Sequence, residues 1–350
     1  MKPKLVVCGV SYSYHSLEGE TLALSNISFT VDNGEFIAIV GPSGCGKSTL
    51  LSMLSGLIEP DEGEIIIDGV PRTNSGACSG YMLQRDHLFE WRTILSNAEL
   101  GLEIQKKLND SSKKKLHEML NTYGLEAFKN ARPSELSGGM RQRAALVRTL
   151  ALEPDLLLLD EPFSALDYYL KEKLQLEQLE ELRNYDGDVL LVTHSRDEIY
   201  RFCSTIHVIN EGEIVVSGAV KDVFKEPETV SAAKLTGCKN ILDIKYVAAH
   251  TFYVPNWDIQ VIIREREVPK ATQFIGIRAH YFTAAHESEK ENVMECRLKQ
   301  SLDDPFEVTL ILENDLWWKI PKGRWKDDMK EQVPERLVVP EESIFFLKDR

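Results

Sequence analysis

The chain alternates short apolar runs with longer segments whose hydrophobic residues recur at helical spacing. Apolar runs predict short strands at 36–40, 64–68, 79–83, 156–159 and 188–193. Leucines at helical intervals predict helices over 48–57 and 166–182. The runs at 156–159 and 188–193 are apolar almost throughout, as in strands buried on both faces of a parallel sheet. The pattern therefore predicts an α/β core, preceded by a lead-in of short strands and turns over residues 5–35.

Two regions depart from that pattern. Residues 92–131 are helical and charged, and predict a helical insertion. Residues after about 240 hold four of the five tryptophans and many short alternating strands, such as 307–312 and 337–339. The predicted domains are 1–235, with a helical subdomain at about 86–153, and a small all-β accessory domain at 236–350.

Composition is that of an ordinary soluble globular protein, with 43% apolar and 27% charged residues. The six cysteines form no C-x-x-C pair, so neither a zinc site nor a disulfide framework is predicted. The net charge of −14 and the lack of a long basic run argue against nucleic acid as a partner. No apolar run approaches the roughly 18 residues that span a bilayer, and we expect the chain in the cytoplasm.

One glycine-rich stretch carries the strongest chemical signal. It fits the pattern G-x-x-x-x-G-K-[ST] between a predicted strand and a predicted helix, and consists of Gly41, Pro42, Ser43, Gly44, Cys45, Gly46, Lys47, Ser48 and Thr49. Its glycines let the backbone approach phosphate groups, and the following helix directs its free N–H groups at them. Lys47 is expected to reach the β and γ phosphates of a nucleotide, and the Ser48 hydroxyl to bind Mg²⁺.

Polar or glycine residues also follow other predicted strands. Gly41, Gln84, Asp160 and His194 each come after a different strand. In open α/β sheets, ligands bind outside the carboxyl ends of the strands. We therefore expect these four positions to converge on one edge of the sheet.

A second helix is predicted to begin behind Ser137, Gly138 and Gly139. The free N–H groups at the start of a helix again suit an anion.

Taken in order along the chain, the motifs resemble those of the ATP-binding subunit of an ABC transporter. They are the Walker A loop at 41–49, the Q-loop glutamine at 84, the signature LSGGxxQ at 136–142, the Walker B strand and its glutamate at 156–161, the D-loop at 164–167 and the switch histidine at 194. The resemblance covers about residues 5–230 and implies a P-loop NTPase cassette, with a RecA-like core, a β lead-in subdomain and a helical subdomain.

The resemblance implies ATP hydrolysis, in which water attacks the γ-phosphate in line. The residues expected to hold Mg²⁺ and its waters are Ser48, Gln84 and Asp160. The expected catalytic residues are Lys47, Gln84, Glu161 and His194. Glu161 would act as the general base that polarises the water. His194 would hydrogen-bond the γ-phosphate and orient that water.

The same resemblance implies a two-fold homodimer with two nucleotides sandwiched between the subunits. Ser137, Gly138 and Gly139 of one copy would complete the ATP site of the other. Tyr14 is expected to stack on the adenine ring, with Tyr12 as a competing candidate.

Transport by such a subunit requires separate membrane permease subunits and, indirectly, an extracytoplasmic substrate-binding protein, so we expect the chain at the inner face of the cell membrane. The segment after Gln84 contains Leu88-Phe89-Glu90-Trp91-Arg92-Thr93 and resembles importers of nitrate, aliphatic sulfonates and taurine. The stretches at 168–173, 236–240 and 275–278 resemble molybdate-type importers, whose accessory domain is TOBE-like. The expected cargo is a small anion, with molybdate or tungstate as the alternative. The accessory domain would either bind a regulatory ligand or extend the dimer interface.

Two other functions compete with an import motor. A soluble ABC-type ATPase that acts on DNA or ribosomes typically needs a second cassette or long heptad arms and a basic face, whereas this chain has one cassette and an acidic balance. A sensor with vestigial ATPase activity is disfavoured because Glu161 and His194 are both present.

Overall fold

A computed structural model describes residues 3–17, 19–74, 79–163, 182, 185, 187–325 and 334–349. The chain divides into two compact units, Met1–Val220 and Lys221–Arg350. Over the described ranges, no helix is both long and apolar enough to cross a bilayer. Apart from Leu182, the helix predicted over 166–182 lies outside the described residues, as does the D-loop at 164–167.

The first unit combines strands and helices in the order expected of an α/β protein. Its strands are β1 Leu5–Ser16, β2 Gly19–Val31, β3 Phe36–Val40, β4 Glu62–Ile67, β5 Val70–Pro71, β6 Ser79–Met82, β7 Leu156–Asp160, β8 Asp188–Val192, β9 Thr205–Asn210 and β10 Glu213–Ala219. Its helices are α1 Lys47–Ser55, α2 Ile94–Ile104, α3 Asp110–Thr122, α4 Gly138–Leu150 and α5 Arg196–Phe202, and 3₁₀ turns occur at Arg72–Asn74, Glu126–Phe128 and Pro133–Glu135.

The central sheet has six strands in the order β10-β9-β3-β8-β7-β6. Strands β9, β3, β8, β7 and β6 are parallel, and β10 pairs antiparallel with β9. Every residue of β3, β7 and β8 is buried. For β7 and β8 this confirms the prediction of buried parallel strands from their apolar runs. The carboxyl ends of four neighbouring strands, β3, β8, β7 and β6, therefore lie along one edge of the sheet.

A second sheet, in the order β2-β1-β4-β5, is antiparallel. The prediction of short strands in this lead-in is wrong, because β1 has 12 residues and β2 has 13. Register shifts interrupt their pairing around Gly9, whose φ is +60°, and Asn26 has φ +50°. Such bulges break the period-2 pattern from which strand length is inferred. One hydrophobic core joins this sheet to α1 and the central sheet.

The helical insertion contains α2, α3 and α4, between β6 and β7. Thr93 caps α2 and Asn109 caps α3, and Leu116 and Leu120 of α3 are buried. Helix α1 ends at Ser55, before the predicted end at residue 57. The reason is Gly56, which adopts φ +80° and donates its N–H to Met53 O.

The second unit is rich in short strands, as predicted. Its helices are α6 Val220–Lys225 and α7 Val230–Leu235, and its strands are β11 Asn240–Asp243, β12 Lys245–Ala248, β13 Thr251–Val254, β14 Ile259–Ile262, β15 Phe274–Ile277, β16 Thr283–Ala284, β17 Val293–Glu295, β18 Leu298–Asp303, β19 Glu307–Leu312, β20 Trp317–Pro321, β21 Arg336–Val338 and β22 Ile344–Leu347. Short 3₁₀ turns occur at Pro255–Trp257, Lys322–Arg324 and Glu341–Ser343. These strands form four three-stranded sheets around one hydrophobic core.

The division between the units falls at residue 220, earlier than the predicted boundary at 235. The packing of α7 explains the difference. Ala233 of α7 is fully buried in a small cluster with Cys238, Phe345 and Leu347. In addition, the N–H of Val230 donates to the carbonyl of Lys348.

Candidate functional site

The glycine-rich loop runs from the end of β3 to the start of α1, where the sequence places it. Its glycines are required for two different reasons. A Cβ atom at Gly41 would lie 2.2 Å from the carbonyl oxygen of Ile209. Gly44 and Gly46 adopt φ values of +82° and +101°, which side chains disfavour. Gly46 is also the N-cap of α1 and offers no side-chain cap, so the first N–H groups of α1 are available to an anion.

Lys47 lies within this loop, with only 7% of its surface exposed. Its Nζ atom donates to the carbonyl oxygens of Gly41 and Pro42, each at 2.9 Å, and lies 3.7 Å from Sγ of Cys45. Burial raises the pKa of the Cys45 thiol, although the Lys47 ammonium opposes that shift. The loop therefore holds the Lys47 ammonium against its own backbone. This is the position in which we expect Lys47 to meet the phosphate oxygens of a nucleotide.

Ser48 and Asp160 come together at the edge of the sheet. The Ser48 hydroxyl donates to Oδ2 of Asp160 at 2.6 Å. Burial raises the pKa of Asp160, which is 3% exposed, and the hydrogen bond from Ser48 works in the opposite direction. A buried carboxylate beside a hydroxyl oxygen is the kind of donor pair that suits a hard divalent cation. Within the described ranges, no group of three or more histidine, cysteine or acidic residues could hold a metal by itself.

Glu161 occupies the centre of the site, between Gln84 and His194. Its Oε2 accepts a hydrogen bond from Nε2 of Gln84 at 3.2 Å, and its Oε1 lies 2.9 Å from Nε2 of His194. The residue has φ +50°, and its N–H donates to the carbonyl of Val192 at the end of β8. The site thus joins the residues that follow β6, β7 and β8.

The structure adds residues that the sequence did not single out. Thr193, directly before His194, donates its hydroxyl to Oε2 of Glu198 at 2.5 Å and accepts the N–H of Ser195 at 3.0 Å. Thr193 is 5% exposed and Glu198 is 4% exposed. A glutamate three residues after the N-cap Ser195 of α5 is a visible capping signal. The hydrogen bond between Glu198 and Thr193 fixes the backbone before His194. It can be identified only in the folded structure, not from the sequence.

Tyr14 and Tyr12 lie side by side on β1, with their rings 5.0 Å apart in an edge-to-face arrangement. The hydroxyl of Tyr14 is within 3.0 Å of Oγ1 of Thr49, and 45% of Tyr14 is exposed. Tyr12 instead packs against the core of the first unit. Tyr14 therefore presents a ring to solvent next to the glycine-rich loop.

The signature residues lie on the helical insertion. Ser137 caps α4, its Oγ accepting the N–H of Met140 at 3.4 Å. Ser137 and Gly138 are exposed, whereas Gly139 is buried and its carbonyl accepts a bond from Arg143. In the described part of the chain, none of these three residues forms a hydrogen bond with the glycine-rich loop. The contacts above link the other predicted site residues, whereas this serine and its glycines lie at the start of α4.

Known proteins resemble part of this chain. A model of the ABC transporter family matches residues 24–164. The chain is 43% identical over 223 residues to the uncharacterized ABC transporter ATP-binding protein YtlC of Bacillus subtilis, a match that covers 64% of this chain and 84% of YtlC. It is 38% identical over 229 residues to the spermidine/putrescine import ATP-binding protein PotA of Oleidesulfovibrio alaskensis, covering 64% of this chain and 61% of PotA.

Solved structures agree with this likeness. A dimeric ATP-binding cassette, MJ0796 in a post-hydrolysis state bound to ADP and Pi, matches with a TM-score of 0.57 and 32% identity, over 62% of this chain and 98% of that chain. The resemblance to oxyanion importers stays a prediction, because the PotA name refers to polyamine import and YtlC is named without a cargo. With its glycine-rich loop, Ser48–Asp160 pair and Glu161–His194 pair in one site, the chain belongs to the ABC transporter family, as an ATP-binding subunit with ATPase activity.

Proposed function

We propose that this chain is the ATP-hydrolysing subunit of an importer and works at the inner face of the membrane with separate permease subunits. The observation that carries the proposal is the position of Glu161. Its carboxylate lies between Gln84 and His194, one residue after the Asp160 that meets Ser48. A general base for hydrolysis of a nucleotide must lie close to the phosphate-binding loop, to the metal-binding pair and to a polar group that orients the water.

Ser48, Asp160 and the amide oxygen of Gln84 would hold Mg²⁺, which neutralises charge on the phosphate oxygens when it is bound. The close approach of Ser48 to Asp160 supports this assignment. Lys47 would exchange its bonds to Gly41 and Pro42 for phosphate oxygens, with little movement of its buried chain.

Glu161 would accept a proton from the attacking water. In the structure both of its carboxylate oxygens already have partners, at Gln84 and His194. Each carboxylate oxygen can accept a second hydrogen bond, so Glu161 would accept one from the attacking water beside these partners or in place of one of them. His194, with 48% of its side chain exposed, is free to turn toward the γ-phosphate when it leaves Glu161.

A second copy would complete the site. Ser137 and Gly138 are exposed at the N-terminus of α4, where free N–H groups can meet a phosphate. The solved relative MJ0796 is dimeric in its complex with ADP and Pi. These two facts support a two-fold dimer in which Ser137, Gly138 and Gly139 face the nucleotide of the partner subunit.

The decisive test compares ATP turnover and oligomeric state for the wild-type chain and for Glu161→Gln. The proposal expects a dimer of the variant that retains Mg·ATP and hydrolyses it very slowly. A variant that stays monomeric with bound Mg·ATP, or that hydrolyses ATP at the wild-type rate, would overturn the proposal.

Two cargo classes are supported by different observations. The segment Leu88-Phe89-Glu90-Trp91-Arg92-Thr93 supports a small anion such as nitrate, a sulfonate or taurine, with molybdate or tungstate as the alternative. In this segment Trp91 is 72% exposed and its ring lies 4.7 Å from that of Phe89, as a contact surface for a permease requires. The names of the PotA relatives support a polyamine instead, although the chain spans less than two thirds of their length.

Cargo is decided by the binding protein rather than by the cassette. The experiment is to search the neighbouring reading frames for a substrate-binding protein, to purify it, and to titrate it with nitrate, taurine, molybdate, spermidine and putrescine. Stimulation of ATP turnover by the loaded binding protein, in vesicles that hold the permease and this chain, identifies the cargo. If the binding protein bound spermidine or putrescine and none of the anions, the anion assignment would be overturned.

The second unit has a hydrophobic core of its own and is proposed as an accessory domain. A regulatory role requires a ligand to favour one dimer state over another by a coupling free energy. Measuring ATP turnover of the complete complex across a range of internal cargo concentrations tests that role. Unchanged turnover at saturating cargo would favour a role in extending the dimer interface.

A further inference from the structure

The segment 86–93, which follows Gln84 and carries the exposed Trp91, is bound to the helical insertion by charged side chains. Arg141 of α4 donates from Nε to Oδ2 of Asp86 at 2.9 Å and from Nη2 to Oδ1 of the same carboxylate at 3.2 Å. Its Nη2 also donates to Oε1 of Glu90 at 2.8 Å. A two-pronged guanidinium–carboxylate contact fixes orientation as well as distance.

Two further side chains hold the same segment. Arg148, also on α4, donates to the carbonyl oxygens of His87 and Asp86, each at 2.8 Å. Asn97 of α2 is fully buried, accepts the N–H of Phe89 at 2.8 Å and donates back to its carbonyl at 3.1 Å. The backbone of the segment is therefore pinned to α2 and α4 along most of its length.

The attachment of this segment to the central sheet is weaker. Met82 ends β6, and Gln84 meets Glu161 through an exposed hydrogen bond of 3.2 Å. Arg85 is exposed. The chain can bend at Gln84 and Arg85 at low cost, whereas bending within 86–93 would break several charge-assisted bonds.

We infer that Arg141 is a positioning residue that makes segment 86–93 and the signature serine Ser137 move as one body. Arg141 lies one helical turn after Ser137, and its N–H donates to the carbonyl of Ser137 at 3.0 Å. A displacement of Trp91 by a permease would pass through the Asp86–Arg141 contact to the first turn of α4. The path avoids the glycine-rich loop, so contact with a permease can change the position of Ser137 without displacing the glycine-rich loop of the same chain.

The contact stays ionised at neutral pH. Burial alone would raise the pKa of Asp86, but the bonds from Arg141 and from the Leu88 N–H lower it below its usual value. The same pairing raises the pKa of Arg141, against the opposing effect of its partial burial. Both partners are mostly shielded from solvent, with side-chain exposures of 27% for Arg141 and 21% for Asp86.

The test is amide hydrogen exchange, measured by mass spectrometry on the full chain. In the nucleotide-free protein, Arg141→Ala should accelerate exchange at Leu88, Phe89 and Arg92 by about tenfold. The N–H groups of Leu88 and Arg92 bond within the pinned segment, and that of Phe89 bonds to Asn97 of α2, so all three depend on how firmly the segment is held. Exchange in α1 and in the core of the second unit should not change. Unchanged exchange over 86–93, or an equal acceleration throughout the first unit, would overturn the inference.

Matched variants distinguish the effect of the two-pronged Arg141–Asp86 contact from the effects of the Arg141 charge and of overall stability. Arg141→Lys keeps the charge but cannot form the two-pronged contact, and should restore only part of the protection. The double variant Asp86→Ala with Arg141→Ala should exchange no faster than either single variant. Lys129→Ala removes an ion pair to Glu126 in the same helical insertion and should leave 86–93 unchanged. Additive effects in the double variant would count against the inference.

The role in moving Ser137 rests on the proposed function, and a second measurement tests it separately. In a Glu161→Gln background, Mg·ATP should protect both 86–93 and the start of α4, and Arg141→Ala should remove the protection of 86–93 while ATP affinity is retained. Protection of 86–93 that survives Arg141→Ala would overturn the inference alone. Absence of an ATP-dependent dimer in Glu161→Gln would overturn the proposed function, while the exchange test without nucleotide still reports on Arg141.

Discussion

The Nε2 atom of His194 lies 2.9 Å from Oε1 of Glu161. The sequence assigned these two residues to different tasks, one to the γ-phosphate and one to the attacking water. Their direct contact places the proposed γ-phosphate ligand beside the proposed general base. Each carboxylate oxygen can accept a second hydrogen bond, so the proposed base keeps an acceptor site for the attacking water beside His194.

Replacing Glu161 by Gln should lower the rate of ATP hydrolysis by at least about 10²-fold, because the amide cannot accept the proton of the water. The volume is conserved, and an amide oxygen can still accept from His194 or Gln84. Affinity for Mg·ATP should therefore stay near that of the wild type. Single-turnover hydrolysis and equilibrium binding of a fluorescent ATP analogue measure the two quantities. Equal losses in hydrolysis rate and in affinity for Mg·ATP would indicate that the substitution damages the fold, rather than that it removes a general base.

The contact between Thr193 and Glu198 should control how well His194 is held. Glu198→Ala leaves the Thr193 hydroxyl buried without its acceptor, which should lower the free energy of unfolding by about 1 to 3 kcal/mol. It should also lower kcat by about tenfold with KM for ATP unchanged, because the histidine is displaced and the glycine-rich loop is not.

Asp197→Ala is the matched control, since Asp197 is exposed and adjacent to Glu198 on α5. Urea unfolding and steady-state kinetics should place Asp197→Ala close to the wild type in both quantities. A Glu198→Ala variant that keeps full kcat despite its lower stability would remove the positioning role of this contact.

The edge of the sheet could be predicted from the sequence, and its side-chain contacts could not. The apolar runs before Gly41, Asp160 and His194 are long enough to identify strands, and parallel strands align their carboxyl ends. Nothing local encodes the φ of +50° at Glu161 or the partner that its carboxylate selects. Those depend on strands β7 and β8 being neighbours, which is a long-range property.

The length of β1 and β2 was missed, and the compact units divide at residue 220 rather than at 235, for similar reasons. Gly9 and Asn26 interrupt the strand alternation, but both are tolerated in bulges because a Gly or Asn accepts a positive φ. The α7 helix has no strand character, yet Ala233 packs with Phe345, more than a hundred residues away. Local patterns carry no information about such contacts.

Gly41→Ala should disrupt the site by steric overlap. The new Cβ atom would lie 2.2 Å from the carbonyl oxygen of Ile209 and 2.5 Å from Sγ of Cys45, so the loop must shift. We expect a loss of about 1 to 3 kcal/mol in unfolding free energy and loss of ATP binding. Gly323→Ala is the control, because a Cβ there meets nothing within 4 Å. Chemical denaturation and nucleotide titration measure both effects, and normal ATP affinity in Gly41→Ala would contradict the assigned loop geometry.

His207 should make the protein sensitive to mild acid. Burial lowers its pKa from 6.5 to about 4, and its ring packs against Phe29 with Nδ1 2.8 Å from the Ser217 hydroxyl. Because the folded pKa lies below the unfolded one, the stabilisation is complete above pH 6.5 and is lost as the pH falls through about 4. The expected loss is on the order of 3 kcal/mol.

His207→Gln removes the titrating group and is compared with the wild type by urea unfolding between pH 7 and pH 4. Other acidic groups titrate in both proteins, so the difference between the two curves isolates His207. We expect the wild type to lose more stability than the variant across this range. Parallel curves would show that His207 keeps an ordinary pKa in the folded chain.

Tyr14 and Tyr12 should respond differently to truncation, although both lie on β1. Tyr14→Ala removes an exposed ring beside Thr49 and should weaken ATP binding by about tenfold, because stacking on a base is lost. Tyr14→Phe keeps the ring and should bind ATP nearly as well as the wild type, so the hydroxyl contact to Thr49 is separated from stacking. Tyr12→Ala should lower the free energy of unfolding by about 1 to 3 kcal/mol, because this ring packs on the core. Isothermal titration with ATP and with inorganic triphosphate distinguishes the cases: Tyr14→Ala should affect only ATP, and a larger effect of Tyr12→Ala on ATP would transfer the adenine contact to Tyr12.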